Sequence, residues 1–377
     1  MRSGLLRPLA ALALGGWLGS AAIAQQPPPS TGPAPAPAPA PAVEPAVAPM
    51  TPDGSSHGDG CYADVEYLLW RRNMTRRFLG FVDNNGNAIY DQTDLTLETS
   101  MMHFDFESGV RGRIGYQADS GFGGEVVGMG LEKSHATMTI NATINNGNAG
   151  NIISPVQFEN SPPFTIMLFP FDSAKRYDVD YTSRLDGGEI NGTCTSTTTV
   201  GTLTFLVGFR YLTQHEAFTL AASGTATGIG TDAPIVGHYD VHTDNDLFGA
   251  QVGIDFNADL VEGLRLELCS KFGLFDNFAR QGQAITNGFL ATGAPVSQVG
   301  SASSDRFANL VEFGLFLHWW CVPHFGVNVG YQGMFINNLA LAPKQLNFSL
   351  DPHAHSLIDM NADVFYHGLS AGFEFRW

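Results

Sequence analysis

Alternation of apolar and polar residues with a period of two is the feature that most constrains the fold of this chain. In residues 366–377, YHGLSAGFEFRW, every second side chain from Leu369 to Trp377 is apolar. A period of two is typical of β-strands with one apolar face, whereas amphipathic helices repeat about every 3.6 residues. The chain has no convincing helical period. We therefore predict an all-β fold.

Ten segments carry this alternation, at 61–71, 104–117, 122–131, 177–186, 203–212, 247–256, 264–274, 307–320, 325–335 and 366–377. Most are close to the about 9–11 residues that a tilted strand needs to cross a bilayer. Short gaps near 118–121, 190–200, 258–263 and 321–324 alternate with long ones near 72–103, 132–175, 213–246, 276–306 and 337–363. This order predicts a transmembrane antiparallel up-and-down β-barrel of ten strands, or twelve if the second long gap holds a hairpin. Its short turns would be periplasmic and its long loops would lie outside.

A soluble β-sandwich also alternates apolar and polar residues and is the alternative fold. However, the apolar faces hold more Phe, Leu and Trp than one thin core needs, and the opposite faces carry Glu, Arg and Lys at mid-strand. A sandwich also gives no reason for short and long gaps to alternate. These features favour the membrane barrel.

Two segments precede the predicted barrel. Residues 1–24 combine two arginines, an apolar stretch and an Ala-Ile-Ala cleavage site, which is the pattern of a secretory signal peptide. Residues 25–59 are rich in Pro and Ala, which predicts a disordered, semi-rigid linker. The linker is either a passive spacer or an attachment to the cell wall. We predict the barrel over 60–377 and place it in the bacterial outer membrane.

The charge balance argues against nucleic acid as a partner. The chain has 36 acids, 19 bases and a net charge of −17, whereas phosphate binding needs clustered Lys and Arg. Charged residues make up only 15%, while Gly (43) and Phe (27) are abundant, as expected for strands that face an apolar medium. We therefore expect two partners, outer-membrane lipid and the barrel-assembly machinery.

Five sequence blocks occur in a characteristic order: ADVEYLLW at 63–70, GFRYL at 208–212 followed by Glu216, LFGAQVGIDF at 247–256, the hairpin at 307–339, and GLSAGFEFRW at 368–377. In this order they resemble the β-barrel porin family numbered seven, known mainly from planctomycete bacteria. The resemblance spans about 61 to 377 and implies an outer-membrane barrel, but it carries over no active site. The WWC at 319–321 departs from the expected polar strand end. By resemblance to outer-membrane proteins generally, Phe373, Phe375 and Trp377 belong to the assembly signal.

Charged residues opposite the apolar faces are the candidate functional residues. We expect them to line the lumen, either as an ion-pair network that fills a narrow barrel or as a pore lining with mild cation preference. Barrels of about eight strands are filled by side chains, so ten strands lie near the closed limit. The predicted lumen-lining residues are Asp64, Glu66, Arg111, Arg113, Asp180, Arg184, Arg210, Asp255, Arg265, Glu267, Lys271 and Glu312.

The leading functional hypothesis is a small passive channel for polar solutes. The alternative is a closed structural or surface-interaction barrel that acts through long acidic outer loops. No spacing brings a nucleophile, a base and an orienting group together, so we predict no enzymatic activity. Segments 82–94 and 238–246 have spacings reminiscent of metal sites, but the first lacks the required Gly, and both are interpreted as solvated loops. We expect no metal site and no cofactor.

Four cysteines occur in this chain, which we expect to be exported to an oxidising compartment. Cys61, Cys194 and Cys321 are predicted at the periplasmic rim, and Cys269 on the seventh strand. A disulfide between Cys194 and Cys321 is one open pairing among several.

Overall fold

The fold is described from a computed structural model of the 377-residue chain. The structure describes residues 60–84, 90–91, 94–142, 144–145, 148–156, 168–225, 234–290 and 292–377. The chain divides into a unit Met1–Thr51, which lies outside the described residues, and a unit Pro52–Trp377, which contains the fold. The signal peptide and the linker therefore also lie outside the described residues and stay predictions.

Antiparallel strands make up nearly all of the regular structure. They are β1 (Gly60–Arg72), β2 (Phe78–Asp83), β3 (Leu95–Glu98), β4 (Glu107–Gln117), β5 (Phe122–Leu131), β6 (Ser134–Asn141), β7 (Ile144–Asn145), β8 (Asn148–Ala149), β9 (Asn151–Ile153), β10 (Leu168–Phe169), β11 (Ala174–Thr198), β12 (Gly201–Thr225), β13 (Pro234–Val261), β14 (Leu264–Leu290), β15 (Pro295–Val322), β16 (Phe325–Leu339) and β17 (Ala362–Arg376). A short helix, α1 (Ala342–Gln345), follows β16. No helix in the described part of the chain is long and apolar enough to cross a membrane.

Ten of these strands close into a ring. The ring runs β1, β4, β5 and then β11 through β17, and each strand pairs with the next. It closes where β17 pairs with β1, with Phe373 opposite Val65. The predicted all-β antiparallel fold is confirmed, and ten strands of its sheet form the closed ring. Closure leaves the ring without an open edge that another chain could pair with.

Four tight turns lie at one end of the ring, which we call the short-turn end. They cover residues 118–121, 199–200, 262–263 and 323–324. Gly121 (φ +86°) and Gly263 (φ +77°) adopt backbone conformations in which a side chain would be strained. The opposite end, which we call the long-loop end, carries the three longest connections, which follow β1, β5 and β16, but β14 and β15 are joined there by only four residues. The two ends therefore differ as the gap lengths predict at three of the five long gaps.

The prediction of strand length was wrong for half of the ring. β11 and β12 have 25 residues, β14 has 27, and β13 and β15 have 28. The expected long loops at 213–246 and 276–306 are therefore largely strand. Segment 238–246, interpreted as a solvated loop, lies within β13. These extensions were missed because their outward faces carry polar residues, which the pattern does not distinguish from loops.

An apolar belt surrounds the outside of the ring in its short-turn half. Every ring strand contributes at least one large apolar side chain that is more than a third exposed. Several members lie directly opposite one another, for example Val207 and Val252, then Val252 and Phe272. One member from each ring strand in turn is Val65, Val110, Val126, Ile190, Val207, Val252, Phe272, Phe313, Val329 and Phe373.

The interior of the long-loop half is filled by the chain itself. β2, β3 and β9 extend the sheet beyond β11, and the residues between β16 and β17 lie against the inner faces of β12, β13 and β14. Their apolar side chains pack on those of the ring in one core, which includes Leu79, Ile152, Tyr181, Phe218 and Phe348. The long-loop half therefore has an apolar core, unlike the short-turn half.

Candidate functional site in the barrel interior

Charged side chains fill the interior of the short-turn half. Because successive residues of a strand point to opposite faces, strands that expose apolar residues outside project polar residues inside. All of the interior charges are buried or half-buried. The acids are Asp64, Glu66, Glu125, Glu189, Asp255, Glu267, Glu312 and Glu374, and the bases are Arg111, Arg113, Arg210, Arg265 and Lys271, with His318 beside them.

Ion pairs on β1 and β4 hold one side of this interior. Arg113 Nε lies 2.5 Å from Asp64 Oδ2, and Arg111 Nη2 lies 2.5 Å from Glu66 Oε2. Arg111 also reaches across the barrel to Glu312 Oε1 on β15, at 3.5 Å. Ion pairs of this kind offset part of the free-energy cost of removing charged side chains from water.

The network continues to the opposite wall through Arg210 of β12. Arg210 Nη1 lies 2.6 Å from Glu312 Oε2 and 3.2 Å from Glu189 Oε1. Glu189 Oε2 also accepts hydrogen bonds from Lys271 Nζ at 2.8 Å and Gln251 Nε2 at 2.7 Å. The contacts therefore cross the interior from β4 to β14. Acids outnumber bases, so this region has a negative field.

An apolar layer lies between the charged network and the long-loop half. Its members come from nine of the ten ring strands, point inward and are at most 5% exposed. A layer of this kind presents few hydrogen-bonding groups to water or to a polar solute, the hydroxyl of Tyr366 and the indole nitrogen of Trp70 being the polar atoms of its side chains. Its ring members include Leu68, Leu131, Leu185, Leu212, Leu247, Phe275, Leu310, Met334 and Tyr366.

Residues 340–361, which we call the inner segment, complete this layer. Ala340, Leu341 and Ala342 are fully buried. Asn245 Nδ2 donates to Ala340 O at 2.9 Å, and Gln281 Nε2 donates to the backbone carbonyl of His355 at 3.0 Å. Strand side chains thus satisfy the backbone of the inner segment, which fixes it inside the barrel.

A buried ion pair anchors the start of the inner segment. The Arg72 guanidinium contacts Glu216 Oε1, and neither side chain is exposed. Glu216 Oε2 accepts from Tyr181 OH and from Ala342 N, both at 2.8 Å. Gln214 Nε2 donates to Glu216 Oε1 at 3.0 Å. Glu216, the acid that follows the GFRYL block, therefore joins three ring strands to the inner segment.

Ten of the twelve predicted lumen-lining residues face the interior. Seven of them form ion pairs with one another or with Glu189 in the charged network. Glu267 pairs with His318, whereas Asp255 has no such partner among the described residues. The ten residues are Asp64, Glu66, Arg111, Arg113, Arg210, Asp255, Arg265, Glu267, Lys271 and Glu312. Of these, Arg265 pairs with Asp259 near the short-turn end rather than with the network.

The placement of Asp180 and Arg184 in the lumen was wrong. Both lie on the outward face of β11 and are half-exposed, paired with His135 and Asp186. The opposite face of this stretch, with Tyr181, packs in the core. The assignment failed because this half of β11 packs its apolar face against the core of the long-loop half. Its polar face is therefore the outer one, which is exposed to solvent.

Sequence reasoning missed three interior groups. Glu125 lies on a strand whose two faces look alike, and Glu189 follows the predicted strand end at 186. His318 was visible on the polar face of its strand but was not counted among the charges. Extending the alternation through residues 187–193 would have placed Glu189 inside, opposite Ile190.

Phe373, Phe375 and Trp377 all lie on the outer surface of the ring and are exposed. Trp377 is held against β1, because its backbone N–H donates to Cys61 O at 3.0 Å and Cys61 N donates to Trp377 O at 2.9 Å. Their role as an assembly signal stays a prediction. All four cysteines are free, so the structure does not contain the Cys194–Cys321 disulfide.

One carboxyl group in the long-loop half has a strongly shifted pKa. Asp172 is fully buried, and burial raises its pKa to about 7. Its carboxyl accepts from Leu168 N at 2.6 Å, and from Ser154 Oγ at 2.5 Å and Ser154 N at 3.1 Å. These hydrogen bonds favour the ionised form but do not offset the loss of water.

The sequence profile of a family described as Putative beta barrel porin-7 matches residues 62–377. The Escherichia coli outer-membrane protease OmpT is 8% identical, with 86% of this chain and 100% of that chain covered and a TM-score of 0.43. The Pseudomonas putida toluene transporter TodX is 7% identical, with 85% and 89% covered and a TM-score of 0.30. An anion-selective porin from Comamonas acidovorans is 9% identical, with 85% and 99% covered and a TM-score of 0.21. These structural similarities are too low to argue function, and no curated protein matches the sequence.

Proposed function

Because this chain belongs to the Putative beta barrel porin-7 family, we propose that it is a β-barrel of the bacterial outer membrane that forms a narrow, closable path for small polar solutes. The apolar belt supports a membrane position, since barrels expose such a band to lipid. In this position the short turns face the periplasm. The charged outer wall and the long connections then lie on the outside of the cell.

The observation that carries the proposal is the sequence of interior layers. A solute entering from the short-turn end first meets charged and amide side chains, which replace hydration. It then meets the apolar layer around Leu212 and Leu341, where most of the side chains cannot replace its hydration. Passage therefore requires the inner segment to move. The excess of acids gives the open path a preference for cations.

Planar-bilayer recording tests this proposal. The wild-type chain should conduct weakly, because the apolar layer is closed. Replacing Leu341 of the layer and Leu346 of the adjoining core by Ser should produce discrete, cation-selective openings, because both buried positions can then hydrate. The matched control is Leu357→Ser, since Leu357 is 69% exposed in the same segment and should leave conductance unchanged.

The alternative is a closed barrel that acts through its outer surface. The paired charges on the outside of β11 and β13, including Asp180, Arg184 and Asp244, favour this function because they continue the barrel wall well beyond the belt. If neither the wild type nor the Leu341/Leu346 variant conducts, although both show heat-modifiable folding, the channel hypothesis is rejected and the closed barrel is favoured. The proposal includes no catalytic step.

A further inference from the structure

Three potential metal ligands converge inside the charged network. Asp255 on β13 lies directly opposite Cys269 on β14, and Glu267 precedes Cys269 by two residues on the same inward face. One ligand atom from each residue lies within 4.8 Å of the others. Two ligands of a tetrahedral zinc ion are about 3.4–3.6 Å apart. Small side-chain rotations would therefore produce this geometry.

The charge balance around Asp255 also points to a cation. Among the interior acids, Asp255 is the one that has no basic side chain within ion-pair distance in the part of the chain that the structure describes. Its Oδ1 is buried and makes no hydrogen bond. A buried carboxylate without a partner is costly. A bound cation would remove that cost.

His318 on β15 provides an independent indication. Its side chain is only 8% exposed, and its Nε2 makes no hydrogen bond but lies 3.3 Å from Glu267 Oε2. Its other nitrogen, Nδ1, contacts Glu374 Oε1. Carboxylates that bind metal ions are commonly held by neighbouring side chains of this kind. His318 thus lies beside the cluster and orients its Glu267 carboxylate.

We propose that Asp255, Glu267 and Cys269 bind a divalent transition-metal ion of the zinc class inside the barrel, while His318 holds the Glu267 carboxylate. The mixture of thiolate and carboxylate suits zinc, whereas calcium and magnesium prefer oxygen ligands alone. On binding, the Cys269 thiol loses its proton to solvent and the sulfur forms the metal bond. The ion offsets the acid excess of the network and ties β13 to β14.

Cobalt(II) titration of the full-length, chelator-treated protein in detergent tests the site. Cobalt is the probe because a cobalt–thiolate bond gives an intense near-ultraviolet charge-transfer band that requires Cys269. We expect the band to saturate at one ion per chain and to disappear on addition of zinc. Cys269→Ser should abolish the band, while Cys194→Ser, which removes an exposed cysteine outside the cluster, should retain it.

A second pair of variants keeps the test valid if Cys269→Ser fails to fold. Asp255→Asn retains the thiol and should weaken cobalt affinity by at least about tenfold, the lower end of the loss seen when even supporting residues around a metal are removed. Asp259→Asn, outside the cluster, should leave affinity unchanged. A band that survives in Cys269→Ser, or unchanged affinity in folded Asp255→Asn, would overturn the site. Neither result depends on whether the barrel conducts.

Discussion

Arg72 and Glu216 form an ion pair from which water is completely excluded, and the same carboxylate accepts the backbone N–H of Ala342. Arg72 also lies over the rings of Phe104, Tyr181 and Tyr366, at 5.1 to 5.9 Å from their centroids. The pair therefore joins the ring to the inner segment.

Glu216→Gln should destabilise the barrel by about 3–5 kcal/mol, because it leaves the Arg72 charge buried without a partner. Unfolding in detergent, followed by heat modifiability on gels, measures the loss. Asp178→Asn is the control, since it breaks only an exposed pair with Arg176 and should have little effect. Replacing Arg72 by Met and Glu216 by Leu together should recover most of the stability. An equal loss in the double variant would contradict the explanation.

Cysteine labelling should distinguish the two faces of the wall. In a background with Cys194 and Cys321 replaced by Ser, Asp180→Cys should react with a membrane-impermeant maleimide on intact cells, because this side chain is half-exposed. Asp64→Cys, inside the network, should stay unlabelled. Labelling of Asp180→Cys only after lysis would show that the orientation is reversed.

Asp172 should make the packing of Ser154 and Leu168 around it dependent on pH. Its pKa is raised to about 7, so between about pH 4 and 7 the folded state binds more protons than the unfolded chain. Stability should therefore fall as pH rises through this window, by at most on the order of 4 kcal/mol, and stay level above it. Hydrogen exchange at Leu168 and Ser154, corrected for the intrinsic rate, measures this. Asp172→Asn should flatten the profile, and an unchanged slope would exclude Asp172 as the cause.

A charge placed in the belt should impair membrane insertion. Phe272→Arg should cost about 2–4 kcal/mol if Phe272 lies near the bilayer midplane. Val299→Arg is the control, because Val299 faces outward on β15 far above the belt and is 79% exposed. Folding yield into lipid vesicles compares them. Equal yields would contradict the membrane position of the belt.

Trp377→Asp should reduce the amount of barrel in the outer membrane if the last residues form part of an assembly signal. The exposed Leu357→Asp serves as a control of equal charge change. Quantifying folded protein in outer-membrane fractions measures the effect. Undiminished yield of Trp377→Asp would reject the signal.

Much of the ring could be predicted because a period of two depends only on local sequence. β5 was predicted with its observed bounds, and β1 and β16 nearly so, since turns or loops interrupt the pattern at their ends. Ten candidate interior residues were assigned for the same reason. Asp180 and Arg184 were not, because alternation gives two faces but does not state which one is inside. That choice depends on what surrounds the strand.

The sequence by itself determined a closed all-β barrel, its ten ring strands, the outward belt and most of the interior charges. Tertiary structure alone decided which charges meet across the barrel, as Arg210 does with Glu312, because these residues are 102 positions apart on non-neighbouring strands. It also decided that residues 340–348 lie inside. The sequence does not predict that Ala340, Leu341 and Ala342 are buried. Their burial depends on partners such as Asn245 and Glu216, which come within contact distance only when the ring closes.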